Sequence, residues 1–266
     1  MTANRPTFSW SGDVATVDGA DFLVAVFRAD LTDHDRFVIW KDRDLLAASL
    51  ELVDRLDANR IVELGIAQGG STALLALYAQ PERFLAMDIS PDPIVPLEDL
   101  IRDRGLTDRV HTRYGLDQSD TTAVRDALRV FEGESLDLVL DDASHRLDLT
   151  RASFDMLFPL LRPGGIYAIE DWDWGHKDRA LVLARATDST EWWPGGAPLS
   201  VLALEALLAT EYPEVIAGVE GDHHYLRIIR GDAQLDPDTF RLRDYVSHAA
   251  KALLNDDIDP LPIPLP

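Results

Sequence analysis

Apolar positions along the chain fall first at helical and then at strand spacing. In "DLLAASLELVDRLD", Leu46, Leu50, Val53 and Leu56 are separated by four, three and three residues, one face of an amphipathic helix. The short run "RIVEL" follows as a buried strand, then the turn "GIAQGG", then the helical stretch "STALLALYA". The pattern repeats with strand "RFLAMDI", a loop holding Pro91, Pro93 and Pro96, and helix "LEDLIRDRG", closed by Gly105. Strand "RVHTRY", helix "TTAVRDALRVF", strand "LDLVL" and helix "TRASFDMLFPLL" come next. "RPGG" is expected to break that helix before the strand "IYAIE".

Strands alternating with helices predict right-handed crossovers and an α/β fold with a largely parallel sheet covered on both faces. Near the end, "EVIAGVEGDHHYLRIIRG" holds two strand-like runs around a turn with no helix between them, which predicts an antiparallel hairpin. The alternation occupies residues 58–231. Residues 1–57 read as an N-terminal helical extension, and residues 232–266 as a C-terminal helix, "FRLRDYVSHAAKALL", with a Pro-rich tail. Flanks of this kind cover a sheet or mate with a second subunit, and a homo-oligomer is expected.

Composition narrows the function. The 266 residues suit one large α/β domain with extensions, and 46% hydrophobic content supplies its core. Acidic residues outnumber basic ones 47 to 25, a formal net charge of -22. Such a surface repels phosphate backbones and anionic lipid, so neither nucleic acid nor a membrane is an expected partner. The absence of cysteine excludes thiol nucleophiles, thiolate metal sites and disulfides. "MTANRPTFSW" has no apolar core of a secretion signal, and no apolar run approaches about 18 residues, so a cytoplasmic protein is expected.

Open α/β sheets bind ligands beyond the carboxyl ends of their strands. The first such end reads "IVELGIAQGGST", in which Gly65 permits a tight turn and Gly69 or Gly70 lets the backbone approach a ligand. The dinucleotide fingerprint G-x-G-x-x-G is missing, which argues against a nicotinamide dehydrogenase. Glu63 would repel a pyrophosphate but suits a cation such as S-adenosylmethionine, which carries a sulfonium and an ammonium. Twenty-five residues beyond it, Asp88 ends the strand "RFLAMDI" and is placed to accept hydrogen bonds from ribose hydroxyls.

At these residues the chain resembles the class I S-adenosylmethionine-dependent methyltransferases, over roughly residues 45–230. Glu63, Gly65 and Gly69 match the family's first motif, with Ser71 counted in the same cofactor loop, and Asp88 matches its ribose-binding acid. "GLDQSD", residues 115–120, is similar to the G-D-Q-S-D stretch of the metal-dependent macrolide-sugar O-methyltransferases and their cephalosporin-hydroxylase-like relatives. Leu116 departs from that pattern, and Asp117 and Gln118 are its candidate adenine contacts. The resemblance implies a Rossmann-like sheet of seven strands.

"LDLVLDDASH" ends its strand in Asp141 and Asp142 with His145 beyond, and "IYAIEDWDWGH" ends the next in Glu170 and Asp171. In this fold the fourth and fifth strands are neighbours, about 4.8 Å apart. Asp142, Glu170 and Asp171 would then crowd together and repel one another unless a cation neutralised them. An oxygen-only donor set points to a hard ion, Mg²⁺. In the subgroup, an Asp-x-x-His segment and a Glu-Asp pair hold magnesium beside the methyl donor, and Asp142 to His145 and Glu170-Asp171 match them. His145 matches the subgroup's proposed base, with His176 a weaker rival. Asp141 either contacts the donor, ligates the metal in place of Asp142, or caps a helix. Trp172, Trp174, Trp192 and Trp193 pack or form a sugar-binding wall.

Together these readings predict an O-methyltransferase acting on a hydroxylated small molecule, a natural-product sugar or polyketide. The alternative is a non-catalytic S-adenosylmethionine binder that partners a hydroxylase.

Overall fold

A computed structural model describes residues 6–26, 32–173, 197–247 and 251. Seven strands form one mixed sheet in the order β10-β11-β9-β8-β5-β6-β7. These are β5 (Arg60–Leu64), β6 (Arg83–Met87), β7 (Val110–Arg113), β8 (Leu136–Asp141), β9 (Leu161–Glu170), β10 (Ile216–Gly221) and β11 (Tyr225–Arg230). β5 pairs in parallel with both β6 and β8, and β6 with β7, whereas β11 runs antiparallel to β9 and to β10. The expected parallel α/β sheet with an antiparallel C-terminal hairpin is therefore present. The chain reverses its direction of travel across the sheet between β5 and β8, the position at which such sheets form a ligand crevice.

Two compact units divide the chain, Met1–Ala143 and Ser144–Pro266. In the first, β5 and β8 are nearly continuous apolar runs, as strands covered on both faces must be. One acid breaks β8. Buried Asp137 accepts hydrogen bonds from the backbone amides of Asn59 and Arg60, at 2.9 and 2.8 Å, and so fixes where β5 begins. Helices α1 (Arg43–Leu56), α2 (Gly70–Ala79), α3 (Val95–Asp103) and α4 (Thr121–Ala127) alternate with the strands. Asp42 caps α1 by accepting from the Leu45 amide.

The N-terminal extension departs from the helical expectation. Ahead of α1 it holds four short strands, β1 (Phe8–Ser11), β2 (Val14–Val17), β3 (Ala20–Val24) and β4 (Phe37–Ile39), paired in that order. The physical reason lies in "VATVDGADF". Ala15 and Val17 are buried in alternation with their neighbours, and Asp18-Gly19 reverses the chain with φ of 48° and 76°. Positive φ at both centres is the two-residue turn that matches strand twist. β4 lies against α2: a Cβ on Gly70 would sit 2.1 Å from the Val38 carbonyl oxygen. Gly70 is thus small to admit the protein's own backbone, where the sequence suggested a ligand.

In the second unit, α5 (Leu147–Leu157) and α6 (Ser200–Leu208) accompany β9 to β11. β9 begins at Leu161 and absorbs the "RPGG" expected to precede it. Glu205, wholly buried on α6, receives Arg151 at 3.0 Å and Arg243 at 3.1 Å. Of the expected C-terminal helix, Leu242–Tyr245 forms a 3-10 turn held by the Leu242 amide donating to Asp155. Residues 248–250 and 252–266 lie outside the described residues. No helix among the described residues is long and apolar enough to cross a membrane.

Gly70→Ala is expected to push β4 off α2, because the obstructing atom is a backbone oxygen that cannot rotate away. Overpacking of this kind costs about 1–3 kcal/mol. Urea unfolding of the variant against the parent measures it, and an unchanged midpoint would contradict the packing described.

Candidate active site

The β5–α2 connection is built around two acids. Glu63, 3% exposed, accepts a hydrogen bond from the Thr72 hydroxyl at 2.6 Å, and Ser71 also donates to it. Burial nevertheless pushes its carboxyl up to about 7, against the lowering effects of Thr72, Ser71 and Lys41. Asp88, at the end of β6, accepts from the amides of Ile66 at 2.7 Å, Ala67 at 2.9 Å and Ser90 at 2.8 Å. A carboxylate offers about four acceptor positions, so Asp88 shapes the glycine loop before it meets any ligand. Gly69 stands at the N-cap of α2.

Gly65 adopts φ of +96°, and a Cβ there would lie 2.3 Å from the carbonyl oxygen of Asp142. The tips of β5 and β8 are therefore in contact, helped by the Asp142 amide donating to Leu64 at 2.9 Å. Asp141 is buried on β8 opposite Leu64, while Asp142, one residue beyond the strand, is half-buried. Lys41, between β4 and α1, donates to Asp142 Oδ2 at 2.6 Å. Its own side chain is 8% exposed. Asp117 accepts from the amide and hydroxyl of Ser119, and Gln118 is buried.

In the second unit, Glu170 is buried at the end of β9 and accepts from the Tyr225 hydroxyl at 3.0 Å. His145 and Asp171 are both half-buried and hold φ of 53° and 54°. Left-handed conformations at such residues cost roughly 1–3 kcal/mol each and concentrate at functional sites. Trp172 donates its indole N–H to the Asp222 carbonyl and rests on Gly221. Trp174, His176, Trp192 and Trp193 lie outside the described residues.

Asp142 lies just beyond β8 in the first unit, and His145 and Asp171 lie in the second, Asp171 just beyond β9. These are two of the three carboxylates expected at a metal and the histidine expected as base. Glu170, the third expected carboxylate, is directed to the Tyr225 hydroxyl. Two participants escaped the sequence reading. Thr72 carries no motif, and Lys41 lies 101 residues from the acid it contacts. The only cue to Lys41 was a lone cation between an apolar run and a helix cap in "FVIWKDRD".

The chain is similar to several known methyltransferases. Residues 62–172 match the family described as "Methyltransferase domain". The L-olivosyl-oleandolide 3-O-methyltransferase of Streptomyces antibioticus is 32% identical over 184 residues, 68% of this chain and 41% of that protein. An 8-demethyl-8-alpha-L-rhamnosyl tetracenomycin-C 2'-O-methyltransferase of Streptomyces olivaceus is 32% identical over 118 residues, covering 42% of this chain and 28% of that one. The chain thus spans less than half the length of these relatives. The structure of MycE methyltransferase from the mycinamycin biosynthetic pathway, in complex with Mg and SAH, aligns at 26% identity. It does so with a TM-score of 0.49, over 70% of this chain and 49% of that one.

The raised carboxyl of Glu63 predicts a pH effect on stability. A carboxyl group that ionises less readily when folded stabilises the fold fully below about 4.5, and that contribution is lost as pH rises through about 7. The loss is on the order of 3 kcal/mol. Urea unfolding at pH 5 and pH 8 is expected to show this decline in the parent protein and a flatter profile in Glu63→Gln.

Proposed function

We propose that this chain, which carries a methyltransferase domain across residues 62–172, is an S-adenosylmethionine-dependent O-methyltransferase assisted by Mg²⁺. Its acceptor would be a hydroxyl of a glycosylated or polyketide natural product. The observation that carries the reading is the pairing of two acidic clusters at the carboxyl ends of β5 and β8. One, Glu63 under its glycine loop, suits a cationic donor; the other, Asp141 and Asp142 at the end of β8, suits a hard cation. Relatives named as sugar O-methyltransferases give the acceptor class its prior.

In this reading Glu63 supplies the negative charge that attracts the donor. The loop from Gly65 to Ser71, fixed by Asp88, shapes the donor's seat, and the fourth acceptor position of Asp88 is left for ribose. Asp117 and Gln118 contact the adenine, and Asp141 lines the donor side of β8. Asp142 and Asp171 would hold the metal, with Glu170 behind them, and half-buried carboxylates suit the oxygen preference of that ion. When bound, such an ion supplies charge that favours ionisation of an acceptor hydroxyl. His145 takes the hydroxyl proton on an imidazole nitrogen as the oxygen bonds to the methyl carbon and the carbon–sulfur bond breaks. Much of the rate would come from holding donor and acceptor in line. A cytoplasmic homo-oligomer with no nucleic-acid or membrane partner is part of the same reading.

The test is donor binding by calorimetry followed by mass-spectrometric detection of methyl transfer to a panel of glycosylated polyketides. His145→Gln is expected to lower turnover by about 10²–10⁴-fold with donor affinity retained. EDTA and Asp142→Asn should each depress turnover, and undiminished methylation would remove the metal. Donor binding without product from any hydroxylated acceptor would favour the non-catalytic binder instead.

A further inference from the structure

Lysine is rare in this chain, at three residues, and the chain otherwise draws its positive charge from arginine. One of the three, Lys41, is buried at the acidic edge of the sheet. Its backbone is fixed on both sides. β4 precedes it, seated on α2 through the close approach of Val38 to Gly70. The residue after it, Asp42, accepts from the Leu45 amide and so begins α1. The ammonium is held at the tip of β8, where it meets Asp142 Oδ2 at 2.6 Å. The same ammonium acts electrostatically on Glu63, stabilising its ionised form while Asp142 opposes it. Lys41 therefore serves both acids that the proposed function assigns to different cations.

We propose that Lys41 is the built-in counter-cation of this site. It holds Asp142 in place before any metal arrives and limits how tightly a divalent ion binds there. The inference rests on the reading of Asp142 as a metal ligand. A neutral hydrogen-bond donor at position 41 could orient the carboxylate equally well, so the positive charge must have a separate consequence. A divalent ion that shares a carboxylate with an ammonium is repelled at short range, where screening by solvent is weak. Two effects of removing the charge favour the ion: the repulsion ends, and Asp142 no longer has to give up an ammonium contact to bind the ion. One effect opposes it, the greater freedom of the carboxylate. The first two act on full charges and dominate. Lys41 is on this account a positioning residue that keeps the ion exchangeable.

Mn²⁺ binding to the full chain, followed by electron paramagnetic resonance of the free ion, tests this directly. Lys41→Met and Lys41→Gln are each expected to bind Mn²⁺ at least tenfold more tightly than the parent, about 1.4 kcal/mol. Lys41→Arg, which keeps the charge, should stay within a few-fold. In thermal melts with chelator, Met and Gln should unfold at lower temperature than the parent, and Mn²⁺ should close the gap. Unchanged or weaker Mn²⁺ binding by both neutral variants, with the parent binding the ion through Asp142 as judged by its loss in Asp142→Asn, overturns the inference alone. No Mn²⁺ binding by the parent overturns the metal reading and this inference with it.

Discussion

Burying carboxylates at the tips of parallel strands is the constraint on which this site depends. An ionised acid withdrawn from water is stable only with compensating partners, and the first unit supplies a different kind for each. Glu63 has hydroxyl donors from Thr72 and Ser71, Asp88 has three backbone amides, and Asp142 has an ammonium. These partners differ in what they leave open. The groups bonded to Glu63 are neutral and Lys41 acts on it only through space, so Glu63 stays poised to gain from a cation, whereas Lys41 brings a full charge directly onto Asp142.

That arrangement makes the N-terminal strands part of the site. They pair among themselves in a sheet of their own, yet β4 delivers Lys41 and presses on the helix that opens the glycine loop. Two glycines of the loop region are small for the sake of the protein's own backbone: Gly65 faces Asp142, and Gly70 faces Val38. The loop is consequently braced from two sides in the first unit. A preformed loop of this kind lowers the ordering cost of ligand binding.

Much of the central sheet was legible in the sequence because each βα unit repeats two strong signals, a short apolar run and a helix of matching face. The C-terminal hairpin was legible because no helical stretch separates its two runs. The N-terminal strands were missed, although "VDGADF" carries an Asp-Gly turn between alternating residues, because runs of three to five residues offer too few periods to outweigh the helix that follows. At the site, strand-end acids are visible as breaks in apolar runs, which exposed Glu63, Asp88, Asp142 and Asp171. Their partners are not visible, since Lys41 and Thr72 reach them through the tertiary fold. The partner of Glu170 was equally hidden, because Tyr225 stands in a strand 55 residues later.

The two strand ends show why adjacent acids need not share a task. In an extended chain consecutive side chains point to opposite faces, so a pair such as Glu170-Asp171 cannot aim both carboxylates at one point while the strand continues. Here the strand stops at Glu170, which stays buried with Tyr225, and Asp171 turns into the left-handed region at φ 54°. At the end of β8 the sequence makes the same choice differently: Asp141 remains in the strand, Asp142 leaves it, and the left-handed residue is His145. At β9 the second acid itself takes a conformation that a glycine would adopt more cheaply, whereas at β8 the strand ends before Asp142 and that conformation falls on His145. Asp18, Asp57, Gln80 and Glu132 hold the same left-handed conformation at a hairpin turn and at helix ends, so the backbone cost alone does not mark a residue as chemical; the side chain it presents must carry that argument.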